Sequence, residues 1–215
     1  VIFIHGHESD CWRSSLYGYF LQRSGFAAFL PSQVGYGLSE GEADYCGPKT
    51  IRGVIDGINI FFRQSFVDRK AVGIWGISRG AVVASLIAEI EPKLFKAAVF
   101  QSGAYDLKRL YETTLIDGIK RNIEREAGTN EKHFLERSSV YKAENYSCPI
   151  LILHGEQDEN YPVEQAEILT QKLVKLKKFH QTEILPNSRH MISKETRKSH
   201  TIPFLEKWLK NNPIP

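Results

Sequence analysis

The chain has 215 residues, of which 42% are hydrophobic and 25% charged, and its formal net charge is +3. These values are typical of one soluble globular domain with a sizeable core. A charge this small gives no reason to expect nucleic acid or a membrane surface as a partner, and no apolar run approaches the ~20 residues of a membrane helix.

The chain begins at Val1 without an initiator methionine, so we expect residues of the natural protein, including any signal peptide, to precede it. Cys11, Cys46 and Cys148 are scattered, with neither metal-like spacing nor a disulfide framework. This use of cysteine is typical of a reducing compartment, and we expect a cytoplasmic protein.

The first elements alternate between strand and helix. Val1–His5 is an apolar run typical of a buried strand, residues 15–24 have helical spacing, and Phe26–Leu30 predicts a second strand that ends at Pro31. The residues that we expect on the inner face of this first helix are Leu16, Tyr19 and Phe20.

A long irregular segment, residues 32–49, follows and contains Gly35-Tyr36-Gly37-Leu38-Ser39-Glu40-Gly41. Loops of this length usually contribute to a site. Residues 50–66 then have helical spacing and lead into the next strand.

A strand and a helix meet without a connecting loop at Gly76-Ile77-Ser78-Arg79-Gly80. The run 71–75 predicts a buried strand, and the helix formers and apolar face of 79–89 predict a helix ended by Pro92. So tight a turn needs a strained backbone, and the flanking glycines permit close approach of neighbouring chain. We therefore predict that Ser78 is a nucleophile, exposed at the positive end of the helix.

The second half continues the alternation, with strands expected at 96–101, 150–154 and 182–185 and helices at 163–176 and about 201–210. These elements predict an α/β fold, with a mostly parallel sheet of about six strands and helices on both faces. Residues 106–145 interrupt the pattern with two amphipathic pieces, near 107–115 and 116–123. We interpret this insertion as lid-like, against the alternative of a longer helical crossover, and expect Tyr111 and Ile119 within it to contact substrate.

A serine nucleophile needs a base and a group that orients the base, and in a parallel sheet these lie after the carboxyl ends of strands. His190, in the loop after the last strand, is the preferred base, with His200 second. Asp158, after the fifth strand, is the preferred acid, with Asp106 as its rival. Glu156 lies closer to the strand end, but we expect it to point away.

An oxyanion intermediate needs two hydrogen-bond donors. The backbone N–H of Arg79, directly after the nucleophile, is one candidate. The second is expected from the loop after the first strand, where we prefer the N–H of His7 to that of Glu8.

These motifs together resemble the α/β-hydrolase superfamily over almost the whole chain. In detail the chain is similar to serine hydrolases of the prolyl oligopeptidase type and to their single-domain, dienelactone-hydrolase-like relatives. The resemblance rests on five stretches: His5-Gly6, the 35–41 loop, the serine turn, Ser138-Ser139-Val140-Tyr141 and Cys148–Asp158, followed by Pro162-Val163 and His190. It implies a triad of Ser78, Asp158 and His190 that cleaves an ester or amide through an acyl-enzyme, without a cofactor.

The chain departs from these relatives in three ways. Ser78 replaces the cysteine of a true dienelactone hydrolase, no propeller domain accompanies the chain, and the first two strands of the superfamily are missing. Because small acyl esters are intrinsically easier to cleave, the sequence favours a carboxylesterase, with a peptidase of short peptides as the alternative.

Two other classes of function are weaker. His5 and His7 with Asp10 could be part of a metal-dependent hydrolase, but Ser9 stands where an aspartate is expected and no second cluster supplies ligands. A non-catalytic binder on the same fold is disfavoured because serine, acid and histidine occur in the order that this fold uses.

Overall fold

Five parallel strands form the centre of the protein in the computed structural model, which describes residues 1–210. In space as in sequence they follow the order β1 (Ile2–Ile4), β2 (Gly73–Ile77), β3 (Ala97–Gln101), β4 (Ile150–Gly155) and β5 (His180–Leu185). The helices are α1 (Ser15–Arg23), α2 (Pro48–Phe61), α3 (Arg79–Ile90), α4 (Leu107–Thr113), α5 (Asp117–Glu126), α6 (Glu131–Glu136), α7 (Glu164–Lys175) and α8 (Lys194–Leu209), with a 3-10 helix at Ser139–Asn145. Within residues 1–210, none of these helices combines the length and apolarity needed to cross a membrane.

Both faces of the sheet are covered, because successive strand residues point to opposite sides. Ile2 and Ile4 pack in the larger core cluster with α2, α3 and α7. Phe3 and Trp75 pack in the smaller cluster with α1 and α8. The α/β fold predicted from the sequence is confirmed.

The second predicted strand, Phe26–Leu30, does not form as a regular strand. It is reduced to a single bridge between Ile2 and Phe29, with hydrogen bonds from the Phe3 N–H to the Phe29 carbonyl and from the Phe29 N–H to the Val1 carbonyl. The apolar run was long enough for a strand, but pairing with β1 continues over one residue only. The sheet therefore has five strands rather than about six.

Two helices differ from their predicted form. The predicted inner face of α1 was wrong: Leu16 is 44% exposed and Tyr19 is 56% exposed, whereas Leu21 is fully buried. Tyr17 stacks on Phe3 of β1, so the helix is rotated relative to the expected apolar face. Helix α8 begins seven residues earlier than expected, because the Ser193 hydroxyl accepts from the Thr196 N–H and caps it.

The segment 106–145 contains three short helices, α4 to α6, and the 3-10 helix. The two amphipathic pieces seen in the sequence correspond to α4 and α5, and α6 was not expected. Helix α4 packs against both α5 and α6, and the 3-10 helix packs against α3 and α7. That the segment acts as a lid remains a prediction.

Candidate active site

Ser78 joins β2 to α3 without an intervening loop. Its φ of 57° and ψ of −125° lie outside the regions that non-glycine residues favour, as expected of a strand that turns straight into a helix. A side chain at Gly76 would strike the backbone of Gly80, and one at Gly80 would strike the backbone of Ile4 and His5. The two glycines therefore let β1, β2 and α3 meet closely enough to form the turn.

His190 lies in the loop after β5, and its Nε2 is 2.8 Å from Oγ of Ser78. The backbone of this loop is held from two sides. The Ser102 hydroxyl, at the end of β3, donates to the carbonyl of His190 at 3.0 Å, and the Gln157 N–H donates to the carbonyl of Ser188 at 2.9 Å. A residue 112 positions away from Ser78 is thus placed within hydrogen-bond reach of it.

Asp158 follows β4 and lies behind His190, with its two carboxylate oxygens 2.9 and 2.8 Å from Nδ1 of that ring. Since a carboxylate only accepts, Nδ1 carries the proton and donates it, and the lone pair of Nε2 faces Ser78. This is the tautomer that a base needs in order to remove the serine proton.

The carboxylate of Asp158 is fully buried and well bonded. Its Oδ1 accepts from the N–H groups of Asn160 at 3.0 Å and Tyr161 at 2.9 Å. Burial acts to raise the pKa of Asp158, but hydrogen bonds from His154, His190 and the Tyr161 N–H outweigh it and lower the pKa to about 2. The acid is therefore ionised at any physiological pH.

The loop after β1 passes directly beside Ser78. A Cβ at Gly6 would lie 3.3 Å from Cβ and 3.8 Å from Oγ of Ser78. Among the hydrogen bonds of residues 1–210, none uses the backbone N–H of Arg79 or of His7 as its donor. The two donors proposed from the sequence are therefore available to a ligand.

The alternative residues have other partners. Asp106 caps α4 by accepting from the Arg109 N–H and also accepts from the Tyr141 hydroxyl. His200 lies within α8, with its Nδ1 2.8 Å from the carbonyl of Thr196. Glu156 is exposed, and Glu8 has a positive φ of 54° in the β1 loop.

The two histidines of the metal alternative do not converge on a common point. His5 is buried, and its Nε2 accepts from the Gln33 N–H at 3.0 Å. His7 instead shares a hydrogen bond of 2.8 Å with the Tyr36 hydroxyl. Within the described part of the chain, no three His, Cys, Asp or Glu side chains are grouped as a metal site.

Tyr111 and Ile119, expected to contact substrate, both pack against the larger core cluster. The Tyr111 hydroxyl donates to Glu124 of α5 at 2.8 Å and so joins α4 to α5. Their contact with substrate stays a prediction.

Four side chains near the site were not identified from the sequence. His154 contacts the Asp158 carboxylate, as His190 does. Its position at a strand end, four residues before Asp158, could have indicated this contact from the sequence. The others are Tyr36, the guanidinium of Arg79 and Glu126, whose contacts with one another span more than 40 residues and leave no local pattern.

The sequence matches a known protein family over most of its length. A model of the prolyl oligopeptidase family matches residues 39–213. The chain is also similar to an uncharacterized peptidase of Bacillus subtilis, YtmA, with 26% identity over 192 residues, which cover 87% of this chain and 73% of that protein.

Solved structures share the fold over the whole chain. An acylaminoacyl peptidase in complex with Z-Gly-Gly-Phe-chloromethyl ketone matches with a TM-score of 0.79 and 20% identity, covering 100% of this chain and 37% of that one. A puromycin-hydrolyzing peptidase of Mycobacterium tuberculosis matches with a TM-score of 0.80 and 21% identity, covering 100% of this chain and 34% of the other. The chain thus spans little more than a third of these structures, and at such identities the likeness shows the fold alone.

Proposed function

The chain belongs to the prolyl oligopeptidase family of serine hydrolases, and on that premise we propose that it cleaves amide bonds of short peptides through an acyl-enzyme formed on Ser78. The observation that carries the proposal is the continuous hydrogen-bonded line from Oγ of Ser78 to Nε2 of His190 and from Nδ1 of His190 to Asp158. The reaction needs no cofactor.

In the first step Ser78 Oγ attacks the substrate carbonyl carbon while Nε2 of His190 accepts the serine proton. The resulting imidazolium is stabilised by the ionised Asp158. His190 then gives its proton to the leaving amine, and the bond between the carbonyl carbon and the amine nitrogen breaks. In the second half water attacks the acyl carbon while His190 accepts its proton; the ester bond to Ser78 Oγ then breaks, His190 returns the proton to Oγ, and the carboxylic acid leaves.

The tetrahedral intermediate places negative charge on the former carbonyl oxygen. We assign its stabilisation to the N–H groups of Arg79, which directly follows Ser78, and of His7, which directly follows the glycine that lies against Ser78. Two such donors act mainly on the transition state, since the charge is absent from the ground state.

Peptides are preferred to esters as the natural substrate because both the family and the similar proteins are peptidases. An acyl ester, favoured by the sequence alone, is the second candidate, since the same line of three residues cleaves esters readily. Neither substrate involves nucleic acid or a membrane.

We further propose that the insertion 106–145 is a lid that sets substrate choice. It emerges after β3, at the same end of the sheet as Ser78. Asn122 of α5 lies 3.4 Å from His7, so α5 extends to the loop beside the nucleophile. Tyr111 and Ile119 are assigned to the substrate-facing part of this lid.

The test combines covalent labelling with a substrate panel. Fluorophosphonate treatment followed by peptide mapping should place the adduct on Ser78, and Ser78→Ala should abolish it and lower kcat by up to ~10⁶-fold. A panel of aminoacyl amides, short peptides and p-nitrophenyl esters then ranks the two substrate classes.

Two histidine variants provide the matched control. His190→Ala should be nearly as damaging as Ser78→Ala, whereas His200→Ala should keep most of the activity. Label on another serine, or a reversal of the two histidine results, would refute the assignment. Cleavage of esters but of no peptide in the panel would favour the second candidate.

A further inference from the structure

Tyr36, in the glycine-rich 35–41 loop, connects the two chain segments that flank the nucleophile. Its hydroxyl shares a 2.8 Å hydrogen bond with Nδ1 of His7 and accepts a hydrogen bond from Nη1 of Arg79. The ring also packs edge-on against His7, with centroids 5.9 Å apart. One side chain thus contacts both residues to which we assign oxyanion donors.

The Arg79 guanidinium continues the connection into the insertion. Its Nη1 lies 2.8 Å from Oε2 of Glu126 at the end of α5, and the two side chains are only 3% and 5% exposed. The guanidinium also stacks over the Tyr45 ring at 4.2 Å. A buried arginine needs such a counter-charge, because an uncompensated buried charge is strongly destabilising.

A second contact joins α5 to the β1 loop. Asn122, one turn before Glu126 on α5, has its Nδ2 3.4 Å from Nε2 of His7. His7, Tyr36, Arg79, Glu126 and Asn122 therefore form a closed circuit that joins the β1 loop, the 35–41 loop, the serine turn and α5.

The charges in this circuit favour one arrangement. Burial raises the pKa of Tyr36 to about 12, against the opposing charge of Arg79, so the phenol stays protonated. Burial and the charge of Arg79 lower the pKa of His7, which favours its neutral imidazole. With Arg79 able only to donate, the Tyr36 oxygen must accept from it, and the position of the phenol is fixed relative to the serine turn.

We propose that Tyr36 is a positioning residue for the oxyanion donors, whose hydroxyl fixes His7 relative to Arg79 and, through the Arg79–Glu126 pair, makes that arrangement depend on α5. The inference rests on the proposed role of the His7 N–H. Tyr36 itself is assigned no contact with the reacting atoms.

The test removes only the hydroxyl. For Tyr36→Phe we expect kcat for p-nitrophenyl acetate to fall by ~10- to 100-fold with KM within twofold of the wild type, because oxyanion stabilisation acts in the transition state. The rate of fluorophosphonate labelling at Ser78 should fall by a similar factor.

Tyr17→Phe is the matched control. The Tyr17 hydroxyl also accepts from an arginine, Arg197, but its ring stacks on Phe3 on the opposite side of the sheet from α2 and α3. This variant loses the same kind of hydrogen bond and should keep the wild-type kcat. Thermal unfolding of both variants measures any loss of stability separately from activity.

Glu126→Gln tests the dependence on α5. It should lower kcat as Tyr36→Phe does, and the double variant should lose little more than either single variant. Wild-type kcat in Tyr36→Phe, a rise in KM with kcat unchanged, or full additivity in the double variant would each overturn the inference. Failure of Ser78 to label in the wild type would instead overturn the proposed function, so the two failures are distinguishable.

Discussion

Nε2 of His154 lies 3.3 Å from Oδ2 of Asp158, and neither side chain is exposed. The same nitrogen is 2.8 Å from the carbonyl oxygen of Tyr161, which can only accept a hydrogen bond. Nε2 therefore carries the proton and directs it toward the Tyr161 carbonyl oxygen and Oδ2 of Asp158. Asp158 is therefore held between two imidazoles, that of His154 on one side and that of His190, which faces Ser78, on the other.

Asp158→Asn should lower kcat by ~10⁴-fold while the protein stays folded. An amide in place of the carboxylate cannot hold His190 in the tautomer that leaves Nε2 free, and it does not stabilise the imidazolium. Steady-state kinetics and thermal unfolding together measure the effect. A loss of less than tenfold would show that another group orients His190.

Gly6→Ala should reduce kcat by ~10- to 100-fold with little loss of stability. The new methyl group would lie 3.3 Å from both the Ile77 carbonyl oxygen and Cβ of Ser78, so the nucleophile must shift by a few tenths of an ångström. Gly118→Ala is the control, since nothing lies within 4 Å of a Cβ there. It should leave kcat unchanged and stabilise α5 by up to ~1 kcal/mol.

Glu89→Gln should stabilise the protein at pH 8 but not at pH 4. The side chain is 1% exposed and faces Lys142 at 3.5 Å; burial raises the pKa of Glu89 to about 7 despite that partner, and Glu144 adds repulsion. Because the unfolded chain ionises near 4.5 and the folded chain near 7, wild-type stability falls as pH rises between these values.

At ~1.4 kcal/mol per pKa unit, that loss is about 3 kcal/mol. Urea unfolding at pH 4 and pH 8 should show it in the wild type and not in Glu89→Gln. Glu42→Gln, which changes an exposed loop carboxylate, should follow the wild type. An identical pH dependence in all three proteins would show that Glu89 does not cause it.

Tyr111→Ala and Ile119→Ala should alter the ranking of acyl chain lengths, by ~1–3 kcal/mol in kcat/KM for each side chain, if the insertion contacts the acyl group. Kinetics with p-nitrophenyl acetate, butyrate and octanoate provide the measurement, and labelling of Ser78 should survive. Since both residues pack against the larger core cluster, lower thermal stability with an unchanged ranking would contradict the lid.

The features that could be predicted from the sequence depend on local pattern. A buried strand, a serine between two glycines and a helix occupy 18 consecutive residues, so the turn at Ser78 could be identified directly. Asp158 and His190 could be chosen because each follows a strand of a parallel sheet, and the structure places His190 against Ser78 and Asp158 against His190.

The features that were missed depend on contacts between distant residues. The strand at Phe26–Leu30 satisfied the local pattern but found only one residue to pair with. The Arg79–Glu126 pair joins residues 47 positions apart, one in α3 and the other in α5. No motif around either residue predicts that the two form a buried pair. Their burial is decided by tertiary packing, which a single sequence does not contain.

The strand order β1 to β5 also determines when activity can begin during synthesis. Each strand after β1 pairs with the one made just before it, so the sheet can grow by one edge as the chain leaves the ribosome. The serine turn is complete by residue 80, whereas the proposed acid lies at position 158 and the proposed base at 190. A nascent chain therefore carries Ser78 for more than a hundred residues before its proposed base, and the proposed triad can form only after β5 and the loop beyond it have been made.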